Sequence, residues 1–212
     1  MAEDSDQSFV FGLIDNILPL ATGLTARLEA GIDVIDVGCG GGRALLKLAE
    51  RFPKSRFVGV DLCHDAFEAA SGTAKRKRLS NLSFRELDIS TVDTLGAYDL
   101  VLALDAVHDQ RDPQGMLGTV RRSLRKDGIF LMADIGGSSH LENNSANPLA
   151  PFLYMLSTIH CTPVSLGQGG AGLGTMWGVE LAAEMLAKAG FGDVKMSRLP
   201  DDLVNAYFVA RP

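Results

Sequence analysis

The chain has 212 residues, of which 46% are hydrophobic and 22% charged, a balance that predicts one α/β domain with a sizeable core. Its net charge of -6 and pI near 5.2 argue against a nucleic-acid-binding surface. No apolar run is long enough to span a membrane, no signal peptide is visible, and the three cysteines have no metal-binding spacing. We therefore expect a cytoplasmic protein without a bound metal, a nucleic-acid partner or a membrane partner.

The first 31 residues are expected to form a tail and helices before the main domain, which we place at residues 32–212. Residues 1–8 are acidic and polar, and we expect them to be disordered. Residues 9–18 carry apolar side chains at helical spacing and end before Pro19. We favour a helix that packs on the edge of the domain. The alternative is an exposed apolar stripe through which two chains form a homodimer.

A glycine-rich turn follows the first predicted strand, residues 32–37. Residues 34–42 read V-I-D-V-G-C-G-G-G, and a helical pattern continues over residues 43–52. Such a turn lets a ligand approach the backbone closely, next to the positive end of a helix. A phosphate-binding loop would need a lysine after the glycines, and a dinucleotide turn would need a third glycine where Arg43 stands.

The second predicted strand, residues 56–60, ends at an acidic side chain. Asp61 follows Asp36 by 25 residues, which is the length of one β-α-β unit. A carboxylate at this place can accept two hydrogen bonds from a ribose diol. The alternative is that Asp61 caps the helix predicted over residues 63–80.

Three further strands alternate with helices and loops. We predict strands over residues 82–87, 98–104 and 129–135, and a helix that starts at Asp112-Pro113 and ends at Gly128. Asp88 follows the first of these strands, and Asp105 follows the second. This order predicts a mostly parallel sheet, which binds its ligands at the carboxyl ends of the strands.

Residues 136–178 form a connection of 43 residues, and a connection this long in a compact domain is typically a lid or a binding loop. We predict a helix over residues 148–160, followed by a glycine-rich loop over residues 167–174. The segment can simply cover the core, but its place after the fifth strand favours a cap over the substrate. A helix and two strands follow, over residues 179–189, 193–199 and 205–210.

The motif D-x-G-x-G-x-G, formed by Asp36, Gly38, Gly40 and Gly42, resembles motif I of the class I S-adenosylmethionine (SAM) methyltransferases. The resemblance extends over residues 32–212. It implies an α/β fold with three α-β-α layers, in which a doubly wound, mostly parallel seven-stranded sheet has a reversed last strand. It also implies a cap inserted after the fifth strand.

Short motifs look like those of one poorly characterised branch of this family. They are His108-Asp109, Ser139-His140-Leu141-Glu142, Gly169 to Gly174, and Trp177-Gly178. Members of the branch often carry an N-terminal winged-helix region, and motif I comes too early in this chain for one to precede it. We expect either a shortened form or a remnant of that region in the helix over residues 9–18.

The resemblance implies the ligands as well as the fold. SAM is the expected cofactor and S-adenosylhomocysteine (SAH) the expected product, without a metal. Asp88 would accept a hydrogen bond from the adenine amino group, with a loop cap as the alternative. The expected cofactor-binding residues are Asp36, Gly38, Cys39, Gly40, Gly42, Asp61, Leu62, Asp88, Ile89, Leu104 and Asp105.

The expected reaction is methyl transfer to a small-molecule acceptor held under the cap. His108 is the candidate catalytic base, since imidazole titrates near neutrality, although a histidine here can also only shape the pocket. Cys161 has no identifiable partner base, and we interpret it as a core residue. The residues expected to contact the substrate are His140, Tyr154, His160, Met176 and Trp177.

Three other functions remain open at this point. One is a quinone- or sterol-type C-methyltransferase, whose fourth-strand region also carries a histidine. Another is an NAD(P)-dependent oxidoreductase, against which Arg43 counts because it replaces the third glycine. The last is a SAM-binding protein without catalysis, against which the long cap counts.

Overall fold

The structure of the protein is a computed structural model that describes residues 9–212. The disorder expected for residues 1–8 therefore concerns a segment outside the described residues. Within residues 9–212, no helix is both long enough and apolar enough to cross a bilayer.

One seven-stranded sheet organises the fold. Its strands are β1 (Asp33–Val37), β2 (Arg56–Asp61), β3 (Leu82–Glu86), β4 (Tyr98–Leu104), β5 (Leu124–Ile135), β6 (Asp193–Ser197) and β7 (Asn205–Arg211). They lie in the order β3-β2-β1-β4-β5-β7-β6. All pairs from β3 to β5 are parallel, while β7 is antiparallel to both β5 and β6. The predicted sheet with its reversed last strand is confirmed.

Helices cover both faces of the sheet. They are α1 (Leu24–Ala30), α2 (Arg43–Arg51), α3 (His64–Lys77), α4 (Pro113–Ser123), α5 (Ala150–Leu156), α6 (Thr162–Gly167) and α7 (Val179–Lys188). Successive side chains of a strand point to opposite faces. In β5, Leu131 packs in a cluster with α1 and α2, whereas Phe130 packs in a second cluster with α4 and α7. The three-layer α-β-α architecture follows from this alternation.

The segment that precedes α1 is packed into the core. It forms a π-helical turn over Leu13–Ile17 and a 3-10 turn over Leu18–Leu20. Leu13, Ile17 and Leu18 are fully buried in the same cluster as α1 and α2. The interpretation as a helical segment packed on the domain is confirmed, and the alternative of an exposed apolar stripe is wrong. A homodimer formed through that stripe would first have to remove it from the core.

The boundary between α4 and β5 differs from the predicted one. The helix begins as predicted, with Asp112 Oδ1 accepting a hydrogen bond from the Gly115 N–H at 2.9 Å, but it ends at Ser123 and not at Gly128. The guanidinium of Arg125 bonds to the carboxylates of Asp33 and Asp99 at the start of β1 and β4. These bonds hold residues 124–128 at the start of β5, where its register with β4 shifts, so the strand begins earlier than the predicted residue 129.

The cap, residues 136–178, is mostly helical. It contains a 3-10 turn (Leu141–Asn144), α5, a π-helical segment (Ser157–Cys161) and α6. Its beginning is fastened to α7, because the Glu180 carboxylate accepts hydrogen bonds from Ser138 Oγ at 2.8 Å and from the Ser139 N–H at 2.7 Å. The cap therefore has a fixed connection to the main domain at this end.

Candidate active site

The glycine turn after β1 has a backbone that only glycine adopts readily. Gly38, Gly40 and Gly42 have φ angles of +69°, +49° and +64°. A Cβ atom on Gly38 would lie 2.6 Å from the Cβ of Ala106, and one on Gly42 would lie 2.6 Å from the Phe84 ring. The turn thus leads directly into α2 with its backbone open to a ligand, as the motif predicts.

Asp61 at the end of β2 connects this turn to the next helix. Its Oδ2 accepts a hydrogen bond from the Gly40 N–H at 2.8 Å, and its Oδ1 accepts one from the Cys63 N–H at 3.0 Å. The second contact is to the residue before α3, whose N-cap is Cys63, so Asp61 itself does not cap this helix. The ribose role stays a prediction.

Asp36 is a buried carboxyl group beneath the turn. It is 2% exposed, and its Oδ1 accepts no hydrogen bond from residues 9–212. Burial, with a further contribution from the negative charge of Asp61, raises the pKa of Asp36 to about 7. A buried carboxyl oxygen without a donor is suited to a cationic ligand group, such as the ammonium of an amino acid.

Two adjoining cavities lie at the carboxyl ends of the strands. One, of about 280 Å³, extends from Asp61 to Asp88, and the other, of about 300 Å³, extends over the glycine turn to Asp36. They share Gly38 and Asp105. Every residue that we expected to bind the cofactor lines one or both of them. Four separate segments of the sequence thus meet at one edge of the sheet, as a doubly wound fold requires.

Asp88 forms the loop cap that we had considered as its alternative role. Its Oδ1 accepts hydrogen bonds from the Ser90 N–H at 2.8 Å and from Ser90 Oγ at 2.6 Å. The hydrogen bond from the Ser90 side chain is the main reason why the pKa of Asp88 is lowered. Both contacts use the same oxygen, and the adenine contact stays a prediction.

The cap covers the cavity beside Asp88. Val164 and Gln168 of the cap line this cavity. Two hydrogen bonds hold the cap to the loop after β4: Ser165 Oγ donates to the Gln110 carbonyl at 2.9 Å, and the Ala171 N–H donates to the Arg111 carbonyl at 3.0 Å. The sequence patterns did not identify Val164 or Gln168 as site residues, because only the fold brings the cap to this edge.

His108 lies under the cap in a buried polar cluster. It is 1% exposed, and its Nδ1 lies 2.7 Å from Asp134 Oδ1. The same oxygen accepts hydrogen bonds from Trp177 Nε1 at 2.9 Å and from the Ile135 N–H at 2.8 Å. Burial alone would lower the pKa of His108, but the charge and hydrogen bond of Asp134, with Cys161 and Asp105, raise it above its usual range.

The Nε2 atom of His108 is turned towards other protein groups. It lies 3.3 Å from Asp109 Oδ1. His108 lines neither of the two cavities, although Asp105 and Asp109 on either side of it do. The geometry therefore gives no support to a contact between His108 and an acceptor in these cavities.

The residues expected to contact the substrate line neither cavity. Trp177 is 4% exposed and packs in the core with α4 and α7, because its indole N–H has a partner in Asp134. Met176 packs on Ile135 and Leu153. His140 is exposed, and the Tyr154 hydroxyl accepts a hydrogen bond from Asn144 Nδ2 at 3.0 Å. His160 is half-buried. Trp177, Met176 and Tyr154 thus lie outside the two cavities, and their contact with the acceptor stays a prediction.

The sequence reasoning also missed Asp134. It is the one acidic residue within the apolar run from Ile129 to Ile135, and it is 1% exposed in the structure. A lone carboxylate in a continuous apolar strand signals a buried polar contact, and this signal was available in the sequence.

Comparisons with known proteins agree with this geometry. The family model described as a methyltransferase domain matches residues 28–161. A relative with a curated description, the protein-lysine N-methyltransferase EFM4 of Saccharomyces cerevisiae, is 32% identical over 142 residues. The match covers 61% of this chain and 59% of the yeast protein.

Solved structures share the fold. An O-methyltransferase family protein from Burkholderia thailandensis superposes with a TM-score of 0.67 at 18% identity, over 99% of this chain and 60% of that one. The trans-methyltransferase CalH in complex with SAH superposes with a TM-score of 0.64 at 23% identity, over 89% of this chain and 53% of that one. The chain thus spans somewhat more than half the length of these proteins. With its glycine turn, its sheet order and the family match over residues 28–161, the chain belongs to the methyltransferase domain family, whose members use SAM.

Proposed function

We propose that this chain transfers the methyl group of SAM to a small-molecule acceptor held under the cap. The observation that carries the proposal is that every expected cofactor-binding residue lines one of two adjoining cavities. The cavities share Gly38 and Asp105, so together they form an elongated site along the sheet edge. An elongated site with carboxylates at separate points suits a ligand with an ammonium, a ribose and an adenine.

The roles of the carboxylates follow from their places in this site. Asp36 pairs with the ammonium of the methionine part, since its buried Oδ1 has no donor among the described residues. Asp61 holds the ribose diol, while its bond to the Gly40 N–H keeps the turn in place. Asp88 and Ile89 hold the adenine in the cavity that the cap covers.

The reaction depends mainly on how the acceptor is aligned with the methyl group of SAM. SAM carries its methyl on a positively charged sulfur, so the acceptor atom attacks the methyl carbon while the bond from that carbon to sulfur breaks and SAH leaves. The protein has to align the acceptor with this bond and exclude water. The proposal does not depend on His108 as a base, because His108 lines neither cavity.

A small acceptor is favoured over a protein because the cap lies over the carboxyl edge of the sheet. Val164 and Gln168 of the cap line the cavity that we assign to the adenine, and the acceptor would have to enter beneath the same segment. The curated description of the yeast relative names a protein-lysine methyltransferase. A lysine side chain of a protein is therefore the second candidate acceptor.

Cofactor binding tests the proposal first. SAM and SAH should each raise the melting temperature by mass action on the folded state, and NAD should not. Asp36→Asn, which keeps the shape of the side chain and removes its charge, should lose most of the SAM effect. Stabilisation by NAD alone would overturn the assignment in favour of an oxidoreductase.

Turnover separates an enzyme from a SAM-binding protein. Methyl-labelled SAM is incubated with the protein and with small-molecule extracts or histone-like lysine peptides. We expect label in small molecules together with SAH. Label only in peptides would favour the lysine acceptor. If no SAH forms and no label is transferred with either class of acceptor, the protein binds SAM without catalysing this reaction.

A further inference from the structure

The imidazole ring of His108 lies near two side chains, those of Asp109 and Cys161, that can bind a metal ion. Nε2 lies 3.3 Å from Asp109 Oδ1. A ring nitrogen of His108, a carboxylate oxygen of Asp109 and the Sγ atom of Cys161 all lie within 4.8 Å of one another. His108 and Asp109 follow β4, whereas Cys161 comes from the π-helical segment of the cap.

The contacts of Asp134 determine which ring nitrogen of His108 carries a proton. Asp134 Oδ1 accepts three hydrogen bonds, from Trp177 Nε1, from the Ile135 N–H and from His108 Nδ1. A carboxylate oxygen has no proton to donate, so Nδ1 carries the hydrogen in the neutral imidazole and the lone pair is on Nε2. That lone pair faces a carboxylate oxygen, which is unfavourable unless a positive charge, either a proton on Nε2 or a metal ion, lies between them.

Asp109 Oδ1 is itself without a donor. The atom is shielded from solvent and accepts no hydrogen bond in the part of the chain that the structure describes. A buried carboxylate oxygen normally has a partner. The lone pair of His108, the unpaired oxygen of Asp109 and the thiol of Cys161 thus converge on one point.

We propose that His108 Nε2, Asp109 Oδ1 and Cys161 Sγ bind a divalent transition-metal ion of the zinc type. Imidazole, carboxylate and thiolate are the three ligand types that zinc binds in proteins. Zinc bonds to nitrogen and oxygen of about 2.0 to 2.1 Å at a tetrahedral angle place these two atoms about 3.3 to 3.4 Å apart. The distance from Nε2 to Asp109 Oδ1 is 3.3 Å.

The groups behind these ligands match those of protein metal sites. A metal-binding histidine typically donates its other N–H to a carboxylate, as His108 does to Asp134 at 2.7 Å. Thr175 Oγ1 donates a hydrogen bond to Cys161 Sγ at 3.0 Å, which stabilises a thiolate. Three protein ligands leave a fourth position for water. The ion would tie the cap to the carboxyl edge of the sheet, and it would occupy the lone pair that a base needs.

Cobalt serves as a probe for this site because Co²⁺ replaces zinc and absorbs light. The whole chain is stripped with a chelator, kept reduced without added thiols, and titrated with Co²⁺. We expect a single equivalent to bind, with a near-ultraviolet band from thiolate-to-cobalt charge transfer and the visible bands of tetrahedral cobalt. Zn²⁺ should remove this spectrum. Metal analysis of the protein before chelation should find the same ratio of metal to protein.

Variants assign the ligands. Cys161→Ser should lose the near-ultraviolet band, and Asp109→Asn should weaken Co²⁺ binding by about tenfold or more. Cys63→Ser is the control, because Cys63 is an exposed cysteine outside the cluster, and it should keep the full spectrum. If Cys161→Ser does not fold, Asp109→Asn decides, because the Asp109 side chain is 22% exposed and does not fill the core.

Two results would overturn the proposal. In the first, the wild-type chain has no tetrahedral cobalt spectrum, which would mean that a proton on Nε2 separates His108 from Asp109. In the second, folded Asp109→Asn binds Co²⁺ as the wild type does. The spectrum does not require SAM or an acceptor, so this proposal and the methyltransferase proposal can fail independently.

Discussion

The carboxylates of this site differ in the hydrogen-bond partners that the folded chain gives them. Asp61 and Asp88 are hydrogen-bonded to neighbouring backbone N–H groups, whereas the Oδ1 atom of the buried Asp36 has no donor among residues 9–212. The hydrogen bonds from Ser90 lower the pKa of Asp88, whereas burial raises the pKa of Asp36. The two kinds of carboxylate should therefore respond differently to substitution and to pH.

Asp61→Ala should weaken SAM binding without unfolding the domain. A hydrogen bond to a charged group contributes about 1.5 to 3 kcal/mol, so we expect the dissociation constant to rise by about one to two orders of magnitude. Isothermal titration calorimetry measures the constant, and Asp65→Ala on the exposed side of α3 is the matched control. Unchanged affinity with a lowered melting temperature would leave Asp61 only its structural contacts to Gly40 and Cys63.

SAM affinity should depend on pH through Asp36. Because burial and the charge of Asp61 raise its pKa to about 7, the carboxyl group is increasingly protonated below that pH in the free protein. The ammonium of SAM binds the ionised form, so binding below about pH 7 must release a proton. The dissociation constant should therefore rise towards tenfold for each unit of decreasing pH, and change little above about pH 8.

Calorimetry in buffers of different ionisation enthalpy measures the proton release directly. In Asp36→Asn both the proton release and the pH dependence should disappear, with weaker affinity throughout. Wild-type affinity that stays constant between about pH 6 and pH 8 would contradict the role of Asp36.

At the scale of elements, the cap forms part of the wall of the proposed cofactor site. Its α6 places Val164 and Gln168 in the wall of the cavity beside Asp88, and Ser165 in the same helix bonds to the loop after β4. The outer face of the cap carries apolar side chains that line no cavity described above, among them Ile159, which is 66% exposed. The two faces of one segment therefore have separable roles.

Val164→Glu should weaken SAH binding by about tenfold, because the new carboxylate would be placed against a cavity that already contains Asp61 and Asp88. Ile159→Glu is the matched control, since it places the same charge on the exposed face of the cap. Fluorescence or calorimetric titration with SAH compares the two. Equal losses in both variants, or none in either, would mean that the cap does not cover bound cofactor.

At the scale of the whole molecule, the chain order and the turn chemistry predicted a mostly parallel sheet, and the resemblance to the class I methyltransferases implied its seven strands and its reversed last strand. The glycine turn, the spacing from Asp36 to Asp61 and the alternation of strands and helices each depend on nearby residues, and all were confirmed in the structure. Contacts between distant segments were not predictable in this way. Trp177 bonds to Asp134, 43 residues earlier, and Arg125 bonds to Asp33, 92 residues earlier. Only the folded chain brings such partners together.

The segment before α1 should contribute to the stability of the whole domain. Leu13→Ala removes a fully buried side chain from the main core, and we expect a loss of about 2 to 5 kcal/mol in the free energy of unfolding. Phe11→Ala, at a side chain that is 83% exposed, should change it by less than about 0.5 kcal/mol. Urea unfolding followed by circular dichroism compares the two. A Leu13→Ala variant as stable as the wild type would mean that this segment is not part of the cooperative core.

The position of β7 between β5 and β6 also affects how the sheet can form while the chain is being synthesised. The chain emerges from the ribosome in order, so β5 is complete about seventy residues before its antiparallel neighbour exists. During that interval one edge of a long apolar strand has unpaired backbone groups, and β6 emerges before β7, its neighbour in the sheet. Final closure of the sheet therefore has to await residues 205–211. Nascent chains stalled before that point should be those most dependent on chaperones.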